Sequence, residues 1–175
     1  MEKLILTALL LPTFAMADGF QFNPVIGLKA QYGGDTLATI IYTDSTTQEL
    51  AAGQGIDFYA GMLATKLPYQ LKGTVGYKYS SSMASNIDVA KTALPVNLTG
   101  RYKLSNGLFA GGGLTLHLSP QLALDDVVAE YEASPGYHVE AGWNFISLGW
   151  THMTYELGAT SFDASSFDVN LEMAF

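Results

Sequence analysis

The feature that most constrains this chain is an alternation of period two that recurs along almost its whole length. In 108–118, Leu108, Ala110, Gly112, Leu114, Leu116 and Leu118 fall on one face, with Phe109, Gly111, Gly113, Thr115 and His117 on the other. In 71–79, Leu71, Gly73, Val75, Tyr77 and Tyr79 alternate with Lys72, Thr74, Gly76 and Lys78. In 96–103, Val96, Leu98, Gly100 and Tyr102 alternate with Asn97, Thr99, Arg101 and Lys103. Successive side chains of a strand point to opposite faces, so this rhythm specifies strands with one apolar face and one polar or small face. Eight segments carry it: 22–32, 55–66, 71–79, 94–103, 108–118, 136–144, 145–155 and 167–175.

The connections alternate in length. Those at 67–69, 104–107 and 144–145 are tight, whereas 33–54, 80–91, 119–135 and 156–166 are long. The first long connection holds two strand-like runs, 36–43 and 48–52, around Asp44-Ser45-Thr46-Thr47. These runs predict a hairpin that extends the first two strands outward. Strand lengths of about ten residues, tight turns on one side and long loops on the other are the pattern of a transmembrane barrel. In lipid every backbone donor and acceptor must be paired within the protein, and strands achieve this only by closing on themselves. The expected fold is therefore all-β, an eight-stranded antiparallel up-and-down transmembrane β-barrel. An even strand number puts both chain ends on the short-turn side.

Composition agrees. Charged residues are 14 % of the 175, hydrophobic residues 49 %, and there is no cysteine. Soluble domains average roughly 25 % charged residues. After residue 17 no apolar run approaches the ~18 residues of a membrane helix. The net charge of -8 opposes nucleic-acid binding. Without cysteine there is neither a disulfide framework nor thiolate chemistry.

The first seventeen residues read as an address. Lys3 precedes an apolar stretch over 4–14, which ends in Ala15-Met16-Ala17. Small residues at the two positions of an A-x-A site predict a cleaved signal peptide, 1–17, and a barrel domain over 18–175.

The expected inward faces carry five bases (Lys29, Lys72, Lys78, Arg101 and Lys103) and four acids (Asp57, Glu140, Asp168 and Glu172). Their near-balance predicts a lumen charge network of paired groups, because an unpaired charge in a low-dielectric interior costs several kcal/mol. Eight strands leave room for side chains to fill the interior, so a plugged lumen is expected. Tyr32, Tyr77, Tyr79, Tyr102, Tyr137, Trp143, Phe145 and Phe175 fall where strands should meet the membrane–water interface. The final segment places Phe167, Val169, Leu171, Met173 and Phe175 on one face.

With its leader, eight alternating strands and terminal aromatic, the chain resembles the small outer-membrane β-barrel proteins of Gram-negative bacteria, of the OmpX and OmpA-barrel type. The resemblance covers nearly all of the mature chain. It implies the bacterial outer membrane as location, with periplasmic termini and with outer-membrane lipids and lipopolysaccharide as surroundings. It also implies that Phe167, Val169, Leu171, Met173 and Phe175 form the signal read by the barrel assembly machinery. It implies no activity, because this architecture hosts pores, enzymes, adhesins and scaffolds.

The motifs point away from catalysis, and no catalytic, metal or cofactor residue is assigned. His117 and His138 fall on inward faces and read as hydrogen-bonded lumen filling. His152 is in phase with Ile146, Leu148 and Trp150 on the lipid face, where a lipid hydrolase would place a base. Thr154, however, holds the position two residues on where a deacylase pattern has its serine. Gly111-Gly112-Gly113 lies within a strand and lacks the Lys-Ser/Thr of a phosphate loop. Asp125, Asp126, Glu130 and Glu132 do not have the spacing of a calcium loop and read as an acidic loop surface.

Charge becomes informative once it is placed. Ten of the fifteen acids after residue 17 fall in the long connections: Asp35, Asp44, Glu49, Asp88, Asp125, Asp126, Glu130, Glu132, Glu156 and Asp163. Lys91 is the one base among them. The expected function is a structural or interaction role at acidic outer loops, with a basic protein as a possible partner. The alternatives are a narrow channel for small or amphipathic solutes and a lipid A-modifying enzyme.

Overall fold

The structure, a computed structural model, describes residues 19–42, 44–83, 88–124 and 127–175. The expected leader, 1–17, lies outside the described residues, as do Asp125 and Asp126.

Fourteen strands are formed among the described residues: β1 (Gln21–Tyr32), β2 (Thr36–Ile41), β3 (Thr47–Ala51), β4 (Gly55–Lys66), β5 (Tyr69–Met83), β6 (Asp88–Lys103), β7 (Leu108–Leu124), β8 (Val127–Glu130), β9 (Glu132–Ala133), β10 (Gly136–Trp143), β11 (Ile146–His152), β12 (Thr154–Leu157), β13 (Thr160–Asp163) and β14 (Ser166–Ala174). Eight of them (β1, β4, β5, β6, β7, β10, β11 and β14) pair antiparallel in chain order. The ring closes where β14 pairs with β1, from Val25↔Ala174 to Tyr32↔Phe167. The chain is thus an all-β, eight-stranded antiparallel up-and-down barrel.

Alternation sorts the side chains as a membrane barrel requires. On β5, Lys72, Thr74 and Lys78 are buried, while Leu71, Val75, Tyr77 and Tyr79 are exposed. On β14, Asp168 and Asn170 are buried while Phe167, Val169, Leu171 and Met173 are exposed. The result is an apolar outer belt around a polar interior, the reverse of a water-soluble protein.

The ladders run beyond the expected strand ends. β5, β6 and β7 reach residues 83, 88 and 124, where the alternation stops at 79, 94 and 118. Beyond the membrane a ladder needs only its backbone bonds and no apolar outer face, so hydropathy does not mark these extensions. A register shift between Thr92 and Leu94 marks the transition on β6.

The hairpin in 33–54 is a separate two-stranded sheet of β2 and β3 and does not continue β1 and β4. The β1–β4 ladder ends at Gln31↔Gly55. Gly33 and Gly34 then take positive φ values of 138° and 87°, a backbone that side chains oppose, and turn the chain away.

Candidate functional site

The barrel interior holds one compact ionic network. The Arg101 guanidinium donates from Nε to Glu140 at 2.5 Å and from Nη1 to Glu172 at 2.5 Å. Its Nη2 adds bonds of 3.1 Å to Glu140 and 3.0 Å to Glu172. Lys72 Nζ lies 2.7 Å from Glu172 and 3.6 Å from Glu140. Two cations and two carboxylates from four strands thus balance across the lumen. Tyr59 completes the group, its hydroxyl 2.8 Å from Glu172 and 2.9 Å from Asn170. Sequence reading passes over Tyr59, although it is in phase with Asp57 and therefore faces inward. Its ring fits only because Gly27 leaves the space, since a Cβ there would fall within the ring.

The other expected network members are not paired in this way. Lys29, Asp57, Lys78 and Asp168 are near enough to interact electrostatically, but none of them forms an ion pair among the described residues. Lys78 donates instead to the backbone oxygen of Gly53 at 2.6 Å. Among the described residues, Asp57 Oδ1 is buried without a hydrogen-bond partner. Lys103 is half-buried at the short-turn end, again without an ion pair among the described residues. Charge balance by face is therefore a poor guide to pairing, because height along the strand also decides which groups meet. His138 Nε2 lies 2.8 Å from Thr99 Oγ1, and His117 Nδ1 lies 2.5 Å from Tyr155 Oη.

Above the lumen, the long connections build a second core. Ile40, Leu50 and Ala52 come from the first, Val89 from the second, Leu122 and Tyr131 from the third and Ala164 from the fourth, joined by Met153 and Tyr155 at the end of the 145–155 segment. All are buried, Leu50 and Ala52 completely. Lys91 reaches into this shell and donates to the carbonyls of Ala51 at 2.6 Å and Ala52 at 2.7 Å. Asp35 and Asp163 clasp the first connection to the fourth. The Asp35 N–H donates to Asp163 O at 2.7 Å, and the Asp163 N–H to Asp35 Oδ2 at 2.8 Å. The outer connections are thus a folded cap.

The acids lie on its outside. Asp35, Asp44, Glu49, Glu130, Glu132, Glu156 and Asp163 are exposed, whereas Lys91 is buried. Glu132 and Glu156 sit directly opposite each other in the β9–β12 ladder. Like charges in that position oppose the pairing. Hydrogen bonds from the Ser165 side chain and N–H hold the Asp163 carboxyl below the usual range, and the Thr46 side chain does the same for Asp44. Among the described residues no three His, Asp or Glu side chains gather as a metal site.

On the outward face, Phe167, Val169, Leu171, Met173 and Phe175 are all exposed. His152 is exposed at the end of β11, with Nδ1 2.8 Å from Ser165 Oγ.

This fold is that of the small eight-stranded outer-membrane β-barrels. Among solved structures the chain is similar to neisserial surface protein A, with a TM-score of 0.50 and 8 % identity, over 90 % of this chain and 100 % of that one. It also matches Ail, the attachment invasion locus protein of Yersinia pestis, at TM-score 0.49 and 9 % identity, with the same coverage. A further structure of Ail, in complex with the heparin analogue sucrose octasulfate, matches equally. No protein-family model matches the sequence, and no curated protein matches it significantly.

Proposed function

We propose that this protein is an integral barrel of the Gram-negative outer membrane whose acidic outer cap is a contact surface for a basic partner. Both termini would face the periplasm. Outer-membrane lipids and lipopolysaccharide would surround the belt, and the barrel assembly machinery would read the alternate apolar residues that end in Phe175. The observation that carries this reading is the segregation of charge in the cap. Seven exposed carboxylates stand on a surface shaped by a shared apolar core, and the one base of those connections is turned inside. A pre-ordered surface loses little conformational entropy on binding, and its single sign selects partners of the opposite sign.

A role as a narrow channel has less support, because the Lys72–Arg101–Glu140–Glu172 network crosses the space that solutes would need.

The test uses the full-length barrel in nanodiscs and oligolysine as probe. Binding should weaken steeply as salt is raised from about 20 to 300 mM, because screening then acts within the cap. It should also fall in a variant carrying Asp44→Asn, Glu49→Gln, Glu130→Gln and Glu132→Gln. Binding that is indifferent to both changes refutes the reading.

A further inference from the structure

The outward face holds a cluster that the acidic cap does not use. Thr151 pairs with Ser166 in the β11–β14 ladder, so His152 and Ser165 meet one step further out, on the side of the lipid. The Nδ1 to Oγ distance of 2.8 Å is that of a hydrogen bond. A serine hydroxyl is a weak nucleophile until an adjacent base takes its proton, and nucleophile and base within about 2.6–3.2 Å are the structural mark of such a pair.

Three further features position it. The His152 ring is stacked on Trp150, with centroids 5.8 Å apart and planes 21° from parallel, and lies 5.1 Å from the Tyr137 ring. The Ser165 N–H donates to Asp163 Oδ1 at 2.8 Å, and the Asp163 carboxylate is close enough to interact with His152 electrostatically. Trp150 and Tyr137 also mark the height of the headgroup boundary, which is where the ester carbonyls of membrane amphiphiles lie. Beneath the cluster, two shallow apolar grooves of about 500 and 470 Å³ flank Phe167, both bordered by Leu148 and Gly149.

We propose that Ser165 and His152 form a nucleophile–base pair acting on acyl esters of outer-leaflet amphiphiles. The Ser165 hydroxyl turns from the Asp163 carboxylate to His152, and Ser165 Oγ attacks the ester carbonyl while its proton passes to His152 Nδ1. The ester C–O bond breaks, and the departing alcohol oxygen takes that proton. A water molecule then attacks the acyl-serine and gives one proton to Nδ1. The fatty acid leaves, and the proton returns to Ser165 Oγ. The acyl chain would lie in a groove beside Phe167.

The experiment uses the full-length barrel in detergent micelles, treated with a fluorophosphonate, and in vesicles of either phospholipid or lipopolysaccharide. Retained heat-dependent gel mobility shows that each variant is folded. The fluorophosphonate should label Ser165, as mapped by peptide mass spectrometry, and fatty acid should be released from at least one vesicle type, which identifies the source of the ester. Ser165→Ala should abolish both signals. His152→Ala should slow both by roughly 10²-fold or more. Thr154→Ala should leave both unchanged. A folded barrel that is not labelled at Ser165, labelling that survives His152→Ala at full rate, or labelling without release from either vesicle would overturn the proposal.

Discussion

Replacing Arg101 with Met tests the lumen network most directly. The Arg101 side chain is 3 % exposed and makes two bonds to each of Glu140 and Glu172. Lys72, 6 % exposed, is the other cation of the group. With Arg101 the group is neutral, but without it two buried carboxylates share one ammonium. Methionine can still fill the space over the Phe109 ring, which the guanidinium covers at 4.6 Å. The loss is therefore mainly electrostatic. Breaking a buried pair and stranding its partner costs about 3–5 kcal/mol, so Arg101→Met should destabilise the barrel by that amount. Adding Glu140→Gln restores neutrality, since Lys72 and Glu172 remain paired at 2.7 Å. The double variant should recover about half of the loss, because the two positions are directly coupled. Urea titration in phospholipid vesicles, followed by tryptophan emission and gel mobility, measures both effects. A single variant within about 1 kcal/mol of the parent, or a double variant no more stable than the single, would refute the assignment of the energy to charge balance.

Three further outcomes are expected. Lys91→Ala takes away the side-chain donor to the Ala52 carbonyl and leaves the Ala51 carbonyl with the Gln54 N–H, at a cost of about 1–3 kcal/mol local to the cap; hydrogen exchange and proteolysis in 36–51 should rise while the barrel strands stay protected. Gly27→Ala drives a methyl group into the Tyr59 ring and should cost about 1–3 kcal/mol in urea titration; a neutral result would mean that Tyr59 moves without loss. The Asp163 carboxyl is held below its ordinary value chiefly by the Ser165 side chain. A depressed carboxyl contributes stability that is present above the unfolded value, roughly pH 4, and lost as pH falls through the folded one. Protection of the cap against hydrogen exchange should therefore drop as pH falls below about 4, and Asp163→Asn should flatten that dependence.

Much of the barrel was legible because lipid outside and packed polar groups inside impose opposite demands on adjacent residues. Local alternation records that contrast, and it placed β1, β4, β10 and β14 within about one residue of their observed ends. It also placed Lys72, Arg101, Glu140 and Glu172 on the inward side. Where the contrast ends, so does legibility. The outer extensions of β5, β6 and β7 look like polar loop, because beyond the membrane nothing requires an apolar outer face. The cap core was hidden for a related reason. Ile40, Val89, Leu122 and Ala164 are scattered apolar residues in four connections, and only folding brings them together.

The sequence by itself determined the strand number, the face of each side chain and the end of the barrel where acid collects, because all three follow from periodicity and loop length. Only the tertiary structure decided which charges meet and which residue faces His152. Ion pairing depends on height along neighbouring strands, so Arg101 reached Glu140 and Glu172 while Lys78 found the Gly53 carbonyl. Ser165 came to His152 through the β11–β14 register, across thirteen residues of chain. Register is a property of paired backbones, and no single strand contains it.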